Sequence, residues 1–253
     1  MKKRIFLTVL SLGVLAASCS KDNYDEPQET FRGRIIDKAT GEPFQAAPGG
    51  EGVRIRMMEY SWSDNPQPYD FYAMMDGTFQ NTKVFAGEYG VTPSGAFVDV
   101  EEERMTIRGT VEKTWEVEPM LRVEWIGNPV LNADGTVTVR IKVTRGTDNP
   151  AYQNALSEAW LFVNETKYVS EGYFNPNFST KIAGAAIQAV QFGQEYEITT
   201  GQPGGFNPGG ACTPFPEYSR RYYLRMGVCT DRMINGAKRY NYTTVKSITT
   251  KER

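Results

Sequence analysis

The sequence predicts an all-β protein built as two tandem antiparallel β-sandwich domains. Three observations carry this. From Phe31 onward helical periodicity is nearly absent. Short runs rich in β-branched and aromatic residues alternate apolar and polar side chains, which is the period of a half-buried strand. Gly, Pro, Asn and Asp break these runs at the spacing of sandwich turns, and Pro119 followed by MLRVEWIGNPVL marks a fresh start.

The elements follow in order. FRGRIID (31–37) reads as the first strand, and KATGEPFQAAPGGEG (38–52) as turn-rich connection. VRIRMMEY (53–60) alternates, with Val53, Ile55 and Met57 on one face and Arg54 and Arg56 on the other. The stretch 59–77 reads as a long Pro/Asn/Asp loop. GTFQNTKVF (77–85) and GEYGVTP (87–93) flank a short turn, and the β-rich run MTIRGTVEKTWEVEP (105–119) closes the first half. Glu101–Glu103 is a solvated charge run. In the second half, Asn132–Gly135 reads as a turn into the strand Val137–Val143, since the spacing and terminal Glu of an EF-hand loop are missing. EAWLFVNETKYVS (158–170) is a central strand and turn. IAGAAIQAV (182–190) is the one short helix expected, weakened by Gly184. EYEITT (195–200), a Gly/Pro-rich loop (201–218), RRYYLRMGVCT (220–230) and YNYTTVKSITT (240–250) complete the chain.

Composition limits the chemistry. The formal net charge is −2 with no long basic run, so nothing favours nucleic acid. There is no histidine, which removes Ser-His-Asp and Cys-His nucleophile systems and His-ligated metal sites. No carboxylate pair is placed for acid–base work. The expectation is a protein without catalysis, metal or cofactor.

The N-terminus reads as an export signal. Lys2, Lys3 and Arg4 precede the apolar run Ile5–Ala17, too short for a bilayer span of about 20 residues. Ala16, Ala17 and Ser18 then precede Cys19. This order resembles the bacterial lipoprotein signal, with Ala16 where that pattern prefers Leu. The resemblance implies cleavage after residue 18, acylation of Cys19 and a stable membrane tether. SKDNYDEPQET then serves as an acidic leash, similar to the export tag of surface lipoproteins in the Bacteroidota. The expected organisation is 1–18 signal peptide, 19–30 linker, 31–119 first domain and 120–253 second domain. Cys212 and Cys229 remain as an even pair in an exported chain, a disulfide candidate; two free buried thiols are the alternative.

GRIIDKATGEP (33–43) and FAGEYGVTP (85–93) resemble the first turn and the late G-x-Y-x-V strand of the carboxypeptidase regulatory-like, or transthyretin-like, domain. RYYLRMGVC and RYNYTTVKSI resemble late strands of an Ig-like or fibronectin-like sandwich. Signal and domain order together resemble an uncharacterised family of Bacteroidota lipoproteins associated with Sus-type (starch-utilisation-type) glycan uptake. The resemblance implies an outer-membrane, cell-surface protein that binds poly- or oligosaccharide, or supports an outer-membrane transporter and its companion lipoproteins. The alternative is a structural lipoprotein, such as a fimbrial subunit assembling by strand donation.

Sugar sites combine aromatic faces with a few orienting polar groups. The first candidate is 59–77, where Trp62, Tyr69 and Tyr72 accompany Asp64 and Asn65. A hydrophobic mini-core beneath a long loop is the competing reading. Phe206, with Phe215 and Tyr218, marks a second candidate in the 201–218 loop, against a purely structural loop. Tyr173, Phe174 and Phe178 form a third cluster. Trp115, Trp125 and Trp160 sit in strand-like stretches and are expected in the core or at a domain interface.

Overall fold

The computed structural model describes residues 26–202 and 212–250. The N-terminal signal, Cys19, most of the leash and Phe206 lie outside these residues. The first half builds β1 (Glu29–Asp37), β2 (Arg54–Glu59), β3 (Pro68–Tyr72), β4 (Thr78–Val84), β5 (Gly87–Ser94), β6 (Glu103–Ile107) and β7 (Thr110–Val117). They form two sheets, in the orders β4-β1-β7 and β3-β2-β5-β6. Val53, Ile55 and Met57 all point into the core between them, as the alternation requires. Phe31, Phe79 and Trp115 meet them from the other sheet.

The second half builds β8 (Leu121–Leu131), β9 (Val137–Arg145), β10 (Leu156–Asn164), β11 (Thr180–Ala183), β12 (Glu195–Thr199), β13 (Arg221–Thr230), β14 (Met233–Ile234), β15 (Ala237–Lys238), β16 (Asn241–Tyr242) and β17 (Lys246–Thr249). The sheet β12-β9-β8 packs over β11-β10-β13-β16, with β17 also paired to β13. Val137, Val139, Ile141 and Val143 face Leu224, Met226 and Val228 across this core. Two open, nearly all-β sandwiches thus follow one another. One pairing departs from antiparallel: β1 runs parallel to β7.

Several local readings are refined. The run 105–119 is two strands. Gly109, at φ +69°, turns the chain out of one sheet and into the other. Five residues of the long loop 59–77 form the edge strand β3, because Tyr69 and Phe71 alternate with Asp70 and Tyr72 opposite β2. The short helix is a single 3-10 segment, Gly184–Ala189, entered through the positive φ of Gly184.

Cys212 and Cys229 are free thiols, and the fold explains why they do not meet. Tyr222 stacks on Phe215, three residues from Cys212, with ring centroids 4.3 Å apart. Cys229 lies seven residues further along β13, roughly 23 Å at strand rise. It also faces the opposite side of the sheet, in an aromatic cluster with Trp160, Phe162 and Tyr240. A disulfide needs Cα atoms within about 7 Å. Burial pushes the Cys229 thiol up to about 12.

That aromatic cluster is a third layer, and it includes Ala47 of the first half. Beneath it lies Arg225, completely buried. Its guanidinium donates to the carbonyls of Thr243 (2.9 Å), Ala46 (2.8 Å), Val169 (3.4 Å) and Met75 (3.3 Å), and to Gln45 Oε1 (3.3 Å). Three of these acceptors belong to the first half, so one side chain pins both sandwiches. Asn235 adds a second link, accepting from Arg54 (2.8 Å) and donating to Ser94 (3.0 Å).

Candidate functional site

The aromatic stretch 59–77 does not converge on one site. Loop 60–67 is docked on the start of β5, where Ser61 Oγ accepts from Glu88 N at 2.8 Å and Tyr60 N donates to Glu88 O at 2.7 Å. Trp62 stands 79% exposed, its Nε1 donating to Glu59 at 3.0 Å, and Asp64 and Asn65 are exposed beside it in the loop. Tyr60 lies under the Arg104 guanidinium, 3.2 Å from its ring centroid. Tyr69 sits on the inner face of β3, its hydroxyl accepting from Asn81 at 2.9 Å. Tyr72 sits on the outer face, opposite Arg54. So Trp62, Asp64 and Asn65 share a tip, while Tyr69 and Tyr72 occupy opposite faces of an edge strand.

The other aromatic clusters serve packing. Phe215 and Phe178 are buried together, 4.6 Å between centroids. Phe174 meets Trp160 edge-on at 5.6 Å. Tyr173 and Tyr218 remain exposed.

A concave site lies elsewhere, at the junction of the halves. A groove of about 610 Å³ runs between the turn after β1 (Thr40–Gln45) and the start of β8 with the chain from β16 to Lys246. That volume lies within the range of small-ligand sites. Leu121 and Val123 point into the core, which turns Arg122 and Glu124 outward. Trp125 shares the inward parity but reaches the open edge of the sandwich, so it is only partly covered. Its Nε1 donates to Thr244 O at 2.9 Å and fixes the indole as a wall. Lys246 Nζ lies 5.8 Å from the indole centroid and donates to Asn128 at 3.0 Å.

One end of the groove is locked by Arg122, which forks onto Asp37 at 2.6 and 2.9 Å. Burial works to raise the Asp37 carboxyl and is the largest single effect, but the Arg122 hydrogen bonds and charge together with the backbone N–H groups of Ala39 and Thr40 outweigh it and hold the group below its ordinary range. The walls also carry the exposed carboxylates of Glu42 and Glu124, which form no salt bridge among the described residues. The groove therefore offers one fixed aromatic face, free carboxylates and a hydroxyl from Thr40. These are the groups that stack on a pyranose ring and bond its hydroxyls. Sequence reasoning placed Trp125 in the core or interface; the partial exposure follows from its place at a sheet edge, which strand alternation alone does not report.

The fold and groove define a two-sandwich, all-β protein with a cleft between its halves. Residues 29–118 match the N-terminal domain of DUF3823, a family of proteins of unknown function. A DUF3823 family protein from Bacteroides uniformis is 28% identical, with a TM-score of 0.76 over 88% of this chain and 99% of that one. A candidate carbohydrate binding protein from the same species is 22% identical, with a TM-score of 0.67 and the same coverage. A DUF3823 family protein from Parabacteroides merdae is 18% identical, with a TM-score of 0.59 over 90% of this chain and all of that one. No curated protein matches the sequence.

Proposed function

We propose that this protein is a non-catalytic glycan-binding lipoprotein, held in the outer membrane by Cys19 and working beside a Sus-type uptake complex at the cell surface. The observation that carries the binding reading is the groove between the sandwiches, with Trp125 fixed as its aromatic wall. The lipoprotein signal supports the anchoring, and the carbohydrate binding ascribed to a relative of the same fold supports the ligand class. The absence of histidine from the whole chain supports a binding role over a catalytic one. The fimbrial alternative fits the pairing less well. β1 is flanked on both sides by β4 and β7, and β17 is paired to β13, so donating either terminal strand would dismantle a sheet.

Affinity electrophoresis through gels containing different polysaccharides tests the reading. Retardation by at least one glycan is expected, abolished by Trp125→Ala and preserved in Trp62→Ala. Loss in Trp62→Ala alone would move the site to the loop tip. Retardation by no glycan would leave a scaffold beside the transporter as the function.

A further inference from the structure

We propose that the end of the first sandwich carrying Trp62 and Phe85 rests on the membrane that holds the Cys19 anchor. This inference rests on the anchoring reading above, and the register of the strands carries it further. Glu29 pairs with Val84, and Thr30 N donates to Gly109 O at 2.9 Å. The chain therefore enters the sandwich at the end built from the 85–86 turn, the 108–109 turn and the 60–67 loop. Asp37 and Val117, at the other ends of β1 and β7, adjoin the groove and the second sandwich.

Chain length favours the entry end as the one that faces the lipid. Nine residues, and so ten Cα–Cα steps, separate Cys19 from Glu29. Fully extended they reach at most roughly 36 Å, and as a relaxed coil they span about 17 Å. The nine residues of β1 put the groove roughly 30 Å beyond the point of chain entry. The tip thus lies within the relaxed span of the tether, whereas the groove end meets the bilayer only when the tether is almost fully extended.

The tip has the chemistry of an interfacial contact. Trp62 is 79% exposed and Phe85 45% exposed, on segments that belong to no core. Aromatic side chains with one polar edge favour the headgroup layer. Lys83, Arg104 and Arg108 stand at the same end against Glu29, Glu59, Asp64, Glu88 and Glu102. This end carries a small net negative charge that does not attract an anionic bilayer, so the contact is carried by the aromatic rings and persists at high salt. Two rings would bind a free protein weakly, but the anchor makes their docking intramolecular.

The test uses the full-length acylated protein in phosphatidylethanolamine/phosphatidylglycerol (3:1) vesicles containing brominated lipid. Trp115 and Trp160 are buried and Trp125 lies in the distant groove, so short-range quenching reports Trp62. Quenching of part of the tryptophan emission is expected, unchanged in 1 M salt, weakened in Phe85→Ser and lost in Trp62→Phe. Vesicle-bound protein without quenching, or equal quenching in Trp62→Phe, would overturn the proposal. Mass spectrometry of the N-terminal peptide separates the two readings. An unmodified Cys19 defeats the anchoring; quenching through Trp62 without acylation would still uphold the tip contact, and its absence would overturn that too.

Discussion

Two partly buried glutamates of the second half are shifted in opposite directions. Burial pushes the Glu171 carboxyl up to about 7, although it accepts a hydrogen bond from the Tyr242 hydroxyl. The folded chain therefore keeps a proton there that the unfolded chain loses near pH 4.5. The stability tied to that proton is fully present below about pH 4.5 and is lost as pH rises to about 7, up to roughly 3 kcal/mol in all. Glu158 is also partly buried, but Lys238, Tyr240 and Lys181 outweigh this and bring it down to about 2. Its contribution is present above about pH 4.5 and lost as pH falls towards 2. Thermal midpoints should peak near pH 4.5–5. Glu171→Gln should flatten the decline towards pH 7 and leave the acid limb alone; an unchanged upper limb would show that Glu171 is not the group responsible. Neither behaviour was legible in the sequence. EGYFNPNF reads as aromatic residues around a turn, a loop platform or buried packing, and the aromatic layer beside Glu171 comes from residues 160–162 and 240–242, far along the chain.

At the scale of elements, the strands were legible wherever one face meets a core and the other meets water. Val53–Met57 and Val137–Val143 are of this kind. Reading failed where a strand is covered on both sides. In β13 the alternation of Tyr222, Leu224, Met226 and Val228 was visible, but Arg225 on the other face is buried as deeply as they are. The glycines divide along similar lines. Gly41 has φ +73° and open space around it, so its role in the turn is purely conformational. Gly33 has an ordinary strand conformation, but an added Cβ would lie 1.8 Å from the carbonyl oxygen of Lys113 on β7. Gly41→Ala should therefore cost about 1 kcal/mol, the price of a left-handed alanine. Gly33→Ala should cost about 3 kcal/mol or more, because β1 and β7 must separate. Urea denaturation of the two variants measures the difference, and equal costs would mean that the β1–β7 pairing yields easily.

For the whole molecule, the question is whether two sandwiches behave as one. Their cores are separate, and an ordinary linker would let them unfold separately. The junction argues otherwise. Asp37 and Arg122 form a two-pronged ion pair across it, Asn241 bonds both Leu121 N and Ala96 O, and Arg225 reaches three acceptors in the first half. None of these links could be read from local patterns, since each joins positions more than 80 residues apart, and the groove exists only because they hold its walls together. Arg225 matters most, because removing its charge orphans buried carbonyls on both sides at once. Calorimetry of the wild-type chain should give a single unfolding transition. Arg225→Met should lower stability by about 3–5 kcal/mol and split the transition in two as the halves uncouple. Glycan retardation should weaken in the same variant, although Arg225 lies outside the groove, because the walls would no longer keep a fixed spacing. A single, merely shifted transition with intact glycan binding would mean that the Asp37–Arg122 and Asn241 contacts suffice to hold the sandwiches as one body.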